Sequence, residues 1–377
     1  AETYATVSLL EGPDLRVLTV PIYGTGQIIG VVERRQTLPV LGNILVQADG
    51  QGLTLTATDL EVELVAQVTL DTEGGGDTTL PARKLLDICR TLPDGAWLEV
   101  QVDQERATVR SGRSRFTLAT LPAADFPVID ELKGVQVFKL SQKDLKELID
   151  RTHFSMAQQD VRYYLNGLML ELDRKAIRSV ATDGHRLAMC ELATQTNVAE
   201  TQQVIVPRKG VQELLRLLEG EDSEVEIQLG SNHIRVTTPE IRFTSKLIDG
   251  RFPDYKRVMP KGGDKQIQAD RGELRQALTR TSILSNEKYR GIRLTLDENV
   301  LRIQAHNPEQ EEAEEELEVQ YAAEPLEIGF NVTYLLDALG ALPGEDVRIL
   351  LSDANSSCLI EDGASGHCKY VVMPMRL

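Results

Sequence analysis

The chain repeats itself at a period the size of a domain. Ala57 opens the stretch Ala-Thr-Asp-Leu-Glu, Ala181 opens Ala-Thr-Asp-Gly-His and Ala305 opens Ala-His-Asn-Pro-Glu, so consecutive starts lie 124 residues apart. Each follows a short alternating run that reads as a strand, at 53–56, 177–180 and 301–304, and each precedes a second such segment. A second block also recurs, starting at Pro81, Pro207 and Phe330. It carries apolar residues at helical spacing, such as Leu85, Leu86, Ile88 and Leu92, and it closes on Gly or Pro-Gly. Alternating strands follow at 97–102, 225–229 and 347–351. Solenoid repeats are far shorter than this. The period therefore predicts three tandem, similar α+β domains, at 1–136, 137–260 and 261–377.

Each copy is itself bipartite, a helix with strands followed by another helix with strands. The opening helix of copy two is expected at 141–152, capped by Ser141 and burying Leu145, Leu148 and Ile149, and its counterpart in copy three at 270–281. The strands alternate apolar and polar residues, the pattern of antiparallel sheet with one wet face. With 58 acidic and 41 basic side chains the formal charge is −17, which opposes non-specific coating of a nucleic acid. That charge is unevenly spread. The five expected helices (83–92, 141–152, 207–219, 270–281, 331–340) together carry +3, and the remainder −20. No apolar run approaches the 18 residues or so of a membrane-spanning helix. Ala1-Glu2-Thr3 lacks the basic-then-apolar opening of a secretion signal. Four scattered cysteines (Cys89, Cys190, Cys358, Cys368) form no C-x-x-C pair, so neither a disulfide framework nor a thiolate zinc site is expected, and a reducing cytoplasm fits.

Few residue clusters invite chemistry. Asp183-Gly184-His185-Arg186 offers a carboxylate and an imidazole two residues apart, which allows a metal-dependent hydrolase as one reading. The alternative is a strand-ending turn in which Gly184 permits tight backbone geometry. No G-x-S-x-G, H-E-x-x-H or phosphate-binding glycine loop accompanies the cluster, so no enzyme activity, metal or cofactor is expected. Seven of the ten residues at 309–318 are Glu, without the Asp/Asn/Gly spacing of a calcium loop; a solvated acidic face is the plain reading. The apolar tail at 370–377 reads as a final strand, although Met373 and Met375 are adaptable enough to repack around different ligands.

Several blocks carry a specific resemblance: RQTLPVLGN from Arg35, SGRSRFTLATLPAADFP from Ser111, SMAQQDVRYYLNG from Ser155 and ATDGHRLA from Ala181. SKLIDGRFPDYKRVMP from Ser245, NPEQEEAEEE from Asn307 and YVVMPMRL from Tyr370 complete the set. Together they identify the chain as similar to the bacterial DNA sliding clamps, the β subunits of DNA polymerase III. The resemblance implies a clamp fold, a ring-shaped homodimer with helices lining a hole for duplex DNA and antiparallel sheets outside. It implies a processivity factor without a catalytic site, holding DNA topologically and without sequence preference. Partners would be the DNA polymerase III α subunit, the clamp loader, and other polymerases and repair proteins bound through short linear motifs. A peptide-binding scaffold that does not hold DNA is the competing class. The stretch 18–30, with a Pro and three Gly, departs from the pattern where clamps open with a helix.

The resemblance also carries residue roles. A partner-peptide pocket would be formed by Leu165, Thr182, Gly184, His185, Arg186, Leu187, Pro253, Arg257 and Val258, with Asn331, Tyr334 and Ser357. The tail would add Val371, Met373, Pro374, Met375, Arg376 and Leu377. DNA would be touched by Arg35, Arg83, Lys84, Gln159, Tyr163, Tyr164 and Lys209. At a head-to-tail dimer contact, Glu311, Glu312, Glu314 and Glu315 would face Lys84, Arg113 and Arg115 around a core of Phe116, Leu118, Ile283 and Leu284.

Overall fold

The computed structural model describes residues 28, 31–32, 38–49, 52–69, 75–93, 96, 98–103, 105–129, 131–196, 198, 200–363 and 366–376, with short backbone pieces at 4–5 and 20–21. Arg35, Leu377, Trp97 and most of the atypical stretch 18–30 lie outside the described residues.

Five helices form where the apolar spacing places them: α1 (Ala82–Thr91), α2 (Gln142–Asp150), α3 (Arg208–Leu217), α4 (Arg271–Ser282) and α5 (Val332–Ala341). Each springs directly from the end of a strand, Gly75–Pro81, Gln136–Ser141, Gln202–Pro207, Lys265–Asp270 and Leu326–Asn331 respectively. The start of α4 is fixed by Asp270, whose side chain accepts from the Glu273 backbone N–H at 2.7 Å. Asn331 does the same for α5, accepting from Thr333 at 2.9 Å. The far end of α5 is closed by cations: Arg271 donates to the carbonyls of Leu339 (3.2 Å) and Leu342 (3.1 Å), and Arg151 donates to that of Ala341. Positive charge at a helix C-terminus meets the exposed carbonyl dipoles and is favourable.

The chain divides into two compact units, residues 1–143 with 212–247, and residues 144–211 with 248–377. Copy two is thus shared, giving 137–143 and 212–247 to the first unit and 144–211 and 248–260 to the second. The first unit is built on an eight-stranded antiparallel sheet, in the order Gln136–Ser141, Glu224–Leu229, His233–Thr237, Ile241–Lys246, Val62–Thr69, Gly52–Thr58, Asn43–Asp49, Gly75–Pro81. A three-stranded sheet (Glu99–Asp103, Arg106–Ser111, Ser114–Ala119) completes it. Its central join, Ile241–Lys246 on Val62–Thr69, pairs a strand of copy two with a strand of copy one.

The second unit repeats the plan. Its eight strands run in the order Gln202–Pro207, Gly167–Leu172, Ala176–Thr182, Arg186–Ala193, Cys368–Val372, Cys358–Asp362, Asp346–Leu351, Lys265–Asp270. A four-stranded sheet of Glu312–Glu318, Val300–His306, Gly291–Asp297 and Leu326–Asn331 accompanies it. Here the join is Arg186–Ala193 on Cys368–Val372, copy two against copy three. In that ladder Cys190 lies directly opposite Cys368, which is 178 residues away in sequence, with Cα atoms 4.1 Å apart. The spacing of the cysteines gave no sign of this neighbour, because sheet register, not sequence distance, decides which side chains meet. The core beside this join gathers Met169, Val180, Leu187, Ile205, Phe252, Tyr255, Leu359 and Val371. Each such side chain, once fully buried, contributes roughly 1.5–3 kcal/mol.

Candidate functional site

One wall of that core opens to solvent as a cavity of about 250 Å³, wholly within the second unit. It is lined by Arg162, Tyr164, Leu165, Thr182, Gly184, His185, Arg186, Leu187, Phe252, Pro253, Tyr255, Val258, Val371 and Met373. Three segments supply the lining: the 3-10 turn Tyr163–Asn166, the turn between the strands Ala176–Thr182 and Arg186–Ala193, and the loop leading into the helical turn Tyr255–Val258. The C-terminal strand adds Val371, and Met373 continues its ladder by donating its backbone N–H to His185 O at 3.0 Å.

The turn at 182–186 is held by its own side chains. Asp183 Oδ1 accepts from the backbone N–H groups of His185 (2.9 Å) and Arg186 (3.0 Å). Thr182 Oγ1 donates to Arg186 O at 2.6 Å and accepts from Gly184 N at 3.1 Å. Gly184 sits at φ +89°, where a side chain is strained, and a Cβ there would also lie 3.1 Å from the Arg162 guanidinium. The turn in copy one is the same construction: Asp59 Oδ1 accepts from Glu61 and Val62, and Thr58 Oγ1 donates to Val62 O. In copy three Asn307 replaces the Thr-Asp pair, accepting from Glu311 N at 2.9 Å.

These bonds decide the chemistry of the cluster. The Asp183 carboxylate caps its own turn and bonds Arg186 Nε at 3.2 Å, so its lone pairs are occupied by the fold rather than offered to a substrate. Among the described residues no three His, Cys, Asp or Glu side chains converge as a metal-holding group. Arg186 is equally committed. Its guanidinium bonds Asp183 and Asp337, donates to Phe154 O at 2.8 Å, and lies over the Tyr334 ring at 4.5 Å. It presents its stem to the cavity and its charge to the protein. The floor is apolar, and Leu165, Leu187, Phe252 and Val371 are all buried.

Of the residues expected at a peptide pocket, Leu165, Thr182, Gly184, His185, Arg186, Leu187, Pro253, Val258, Val371 and Met373 meet at this cavity. Tyr334 touches it only through Arg186. Asn331 is spent on capping α5, and Arg257 pairs with Asp254 at 3.0 Å. Ser357 directly precedes the strand Cys358–Asp362. Pro374, Met375 and Arg376 run on past the cavity, where Met375 donates to Gly329 O at 2.9 Å. Arg162, Phe252 and Tyr255 were missed as lining residues, and Tyr164, expected at DNA, lines the cavity as well. The signal for two of them was present: Phe252 and Tyr255 are three apart and flank a Pro, the spacing of one buried helical turn.

Among the residues expected at DNA, Arg83 donates to Val32 O at 2.8 Å, Lys84 is exposed on α1, Gln159 and Tyr163 are exposed, and Lys209 is half-buried on α3. Most of those expected at a dimer contact sit on or beside two edge strands. Ser114–Ala119 is an edge strand of the three-stranded sheet in the first unit, with Arg113 and Arg115 exposed and Phe116 half-buried. Leu118 is already buried at 7 % exposure, so it belongs to the interior of its own unit rather than to a contact core. Glu312–Glu318 is an edge strand in the second unit, and its residues alternate exposed and half-buried. Glu315, expected to face a partner, is paired with Arg280 of its own chain at 2.6 and 3.0 Å, which holds its carboxyl below the usual range. Glu314 bonds Gln304, and Glu311 bonds Asn307. Ile283, just past α4, is 74 % exposed, and Leu284 is half-buried.

Comparison with known proteins covers nearly the whole chain. Residues 24–130, 139–254 and 256–376 match, in turn, the N-terminal, central and C-terminal domains of the DNA polymerase III beta subunit family. A Beta sliding clamp of Pseudomonas aeruginosa is 59% identical over 93% of this chain and 96% of that protein. One from Escherichia coli K12 is 55% identical over the same shares. Among solved structures, a Pseudomonas aeruginosa sliding clamp with ligand superposes with a TM-score of 0.92 at 57% identity, covering 94% of this chain and 97% of that one. A second from that organism, bound to griselimycin, gives 0.92 at 55% identity and covers 100% of both chains.

Proposed function

The chain belongs to the DNA polymerase III beta subunit family and is a DNA sliding clamp of the replication machinery; from that premise we propose that its cavity is where partner proteins dock, by inserting short linear peptides. The observation that carries this is the apolar lining itself, rimmed by the half-exposed, unbranched side chain of Met373. Two or three Leu- or Phe-type anchors at roughly 1.5–3 kcal/mol each, less the cost of ordering a peptide, give a Kd on the order of micromolar. Such an affinity recruits a client and still lets it exchange, and Met suits a site shared among several clients. The clients would be the DNA polymerase III α subunit, the clamp loader, and other polymerases and repair proteins.

The protein would act without a catalytic site of its own, in the cytoplasm, as two copies closed head to tail around duplex DNA. The three repeats would be its three domains per copy, with Arg83, Lys84, Gln159, Tyr163 and Lys209 among the residues near the phosphates. The charge of the two edge strands supports the closure: Arg113 and Arg115 flank one, and Glu311, Glu312 and Glu314 the other. Rim charges of this kind set orientation and salt sensitivity, while an apolar centre with Phe116, Ile283 and Leu284 would hold the affinity. Phosphate contacts position without specifying sequence, which is what sliding demands. The docking site is tested by deleting residues 373–377 and titrating a fluorescein-labelled peptide bearing Leu and Phe anchors. The expected outcome is loss of binding with the dimer intact; unchanged affinity would sink the assignment.

A further inference from the structure

We propose that Glu171, a carboxylate buried behind the cavity, is a positioning residue that keeps the wall Phe252-Pro253-Tyr255-Val258 in its ligand-ready arrangement by gripping the Tyr255 hydroxyl. The inference rests on the docking role given to the cavity above and goes on to say how the site is kept formed.

Glu171 lies on the strand Gly167–Leu172, two residues beyond Met169 of the cavity core, so both point to the same face of the sheet. It is 1 % exposed. A carboxylate buried to that extent is costly unless its lone pairs are filled. Here they are filled: Oε1 accepts from Tyr255 OH at 2.8 Å, from Arg178 Nη1 at 2.9 Å and from Lys256 Nζ at 3.1 Å, and Oε2 accepts from Gln203 at 2.7 Å. Arg178 is held in turn by Asp173 and Glu191. Burial works against ionisation of Glu171, but the bonds from Gln203, Tyr255 and Lys256 outweigh it and the carboxyl titrates below its ordinary value. Burial, then the Glu171 bond, push the Tyr255 phenol upward, so it remains a donor. The pair is thus a fixed tether at neutral pH.

The segment it tethers is held besides by the packing of Phe252 and Tyr255 in the core, but it has little backbone structure of its own. Tyr255–Val258 is a single helical turn, closed by Arg257 N–H to Asp254 O and Met259 N–H to Tyr255 O, both at 3.1 Å. One isolated turn does not pay for its own ordering, because nucleation fixes several dihedrals for each bond gained. Yet this turn carries Tyr255 and Val258 of the cavity lining, and Phe252 and Pro253 enter it directly. A wall anchored to a filled, buried charge cluster is preformed, which spares the ligand the cost of building it.

Tyr255→Phe removes the hydroxyl's bond to Glu171 and keeps the ring, leaving the exposed Lys256 ion pair as the turn's other link to that carboxylate. In the full-length protein, amide hydrogen exchange at Arg257 and Met259 is expected to speed up about tenfold, and the affinity for the Leu- and Phe-bearing peptide to fall by about the same factor. Exchange in α1 to α5 should not move. Glu171→Gln keeps an oxygen for the hydroxyl and should retain most of the protection, whereas Glu171→Leu should lose it as Tyr255→Phe does. Unchanged exchange at 257 and 259 in Tyr255→Phe overturns the inference whatever the peptide does. A rise shared by all five helices also overturns it, since Tyr255 would then be a general core residue. Faster exchange at 257 and 259 alone, in a protein whose wild type binds no peptide, upholds the tether and removes the docking role instead.

Discussion

Leu60 and Gly184 occupy the same place in two copies of one turn, at φ +76° and φ +89°. That region costs a residue with a Cβ roughly 1–2 kcal/mol. Copy one tolerates Leu60 there because its side chain is 48 % exposed and meets little else. At Gly184 a Cβ would press on Arg162, which Asp160 fixes through two bonds of 3.0 and 2.8 Å. Opposite outcomes follow in chemical denaturation. Leu60→Gly should stabilise by up to about 1 kcal/mol, and Gly184→Ala should destabilise by about 1–2 kcal/mol; shifts of the same sign in both would refute the shared geometry. The Thr-Asp signature of the turn was readable in the sequence, since short polar side chains that bond their own backbone mark turns. The fate of Arg186 was not, because Asp337 and Phe154 reach it only after the sheet has assembled.

At the level of elements, helices were the most legible. Expected and observed bounds differ by no more than about two residues, since Asp270, Asn331 and the strand-to-helix junctions punctuate the sequence locally. Sheet edges were less so. Leu118 looked like a contact residue, but strand alternation turns it inward, whereas Ile283 stands in solvent beyond the end of α4. An exposed Ile beside a half-buried Leu, near an acidic edge strand, is a liability unless covered. Replacing both, Ile283→Ala with Leu284→Ala, should weaken dimerisation by about 2–4 kcal/mol, roughly a 30- to 700-fold rise in Kd. Sedimentation velocity at micromolar protein would then show monomers, and a persistent dimer would refute the role given to these residues. Arg280 and Glu315 make the companion point: their pairing across 35 residues is a product of how α4 lies on its sheet, which no local pattern encodes.

For the whole molecule, the net charge of −17 coexists with a function on DNA. Retention by closure around the duplex, not by tight phosphate binding, reconciles the two. The expected outcome is measurable: protein loaded onto nicked circular plasmid should persist through a salt wash and leave when the plasmid is cut once. Loss from the circle at the same rate as from the linear form would mean ordinary electrostatic binding, whose affinity falls steeply with salt. The composition alone pointed away from DNA. The repeats corrected it, because they separate mildly basic helices from an acidic remainder.

The join of Arg186–Ala193 to Cys368–Val372 has a consequence in time as well as in space. Ribosomes add roughly 5–20 residues per second. The 178 residues between Cys190 and its partner therefore keep one strand waiting about 9–36 s for its neighbour. Throughout that interval the nascent chain carries an open sheet edge next to unsheltered apolar side chains, the kind of surface that chaperones recognise and that aggregates. A chain cut short before Cys368 keeps most of its sequence and leaves the sheet unfinished. Such a product would expose that edge permanently, so it is expected to be cleared by proteolysis rather than to serve as a shorter clamp.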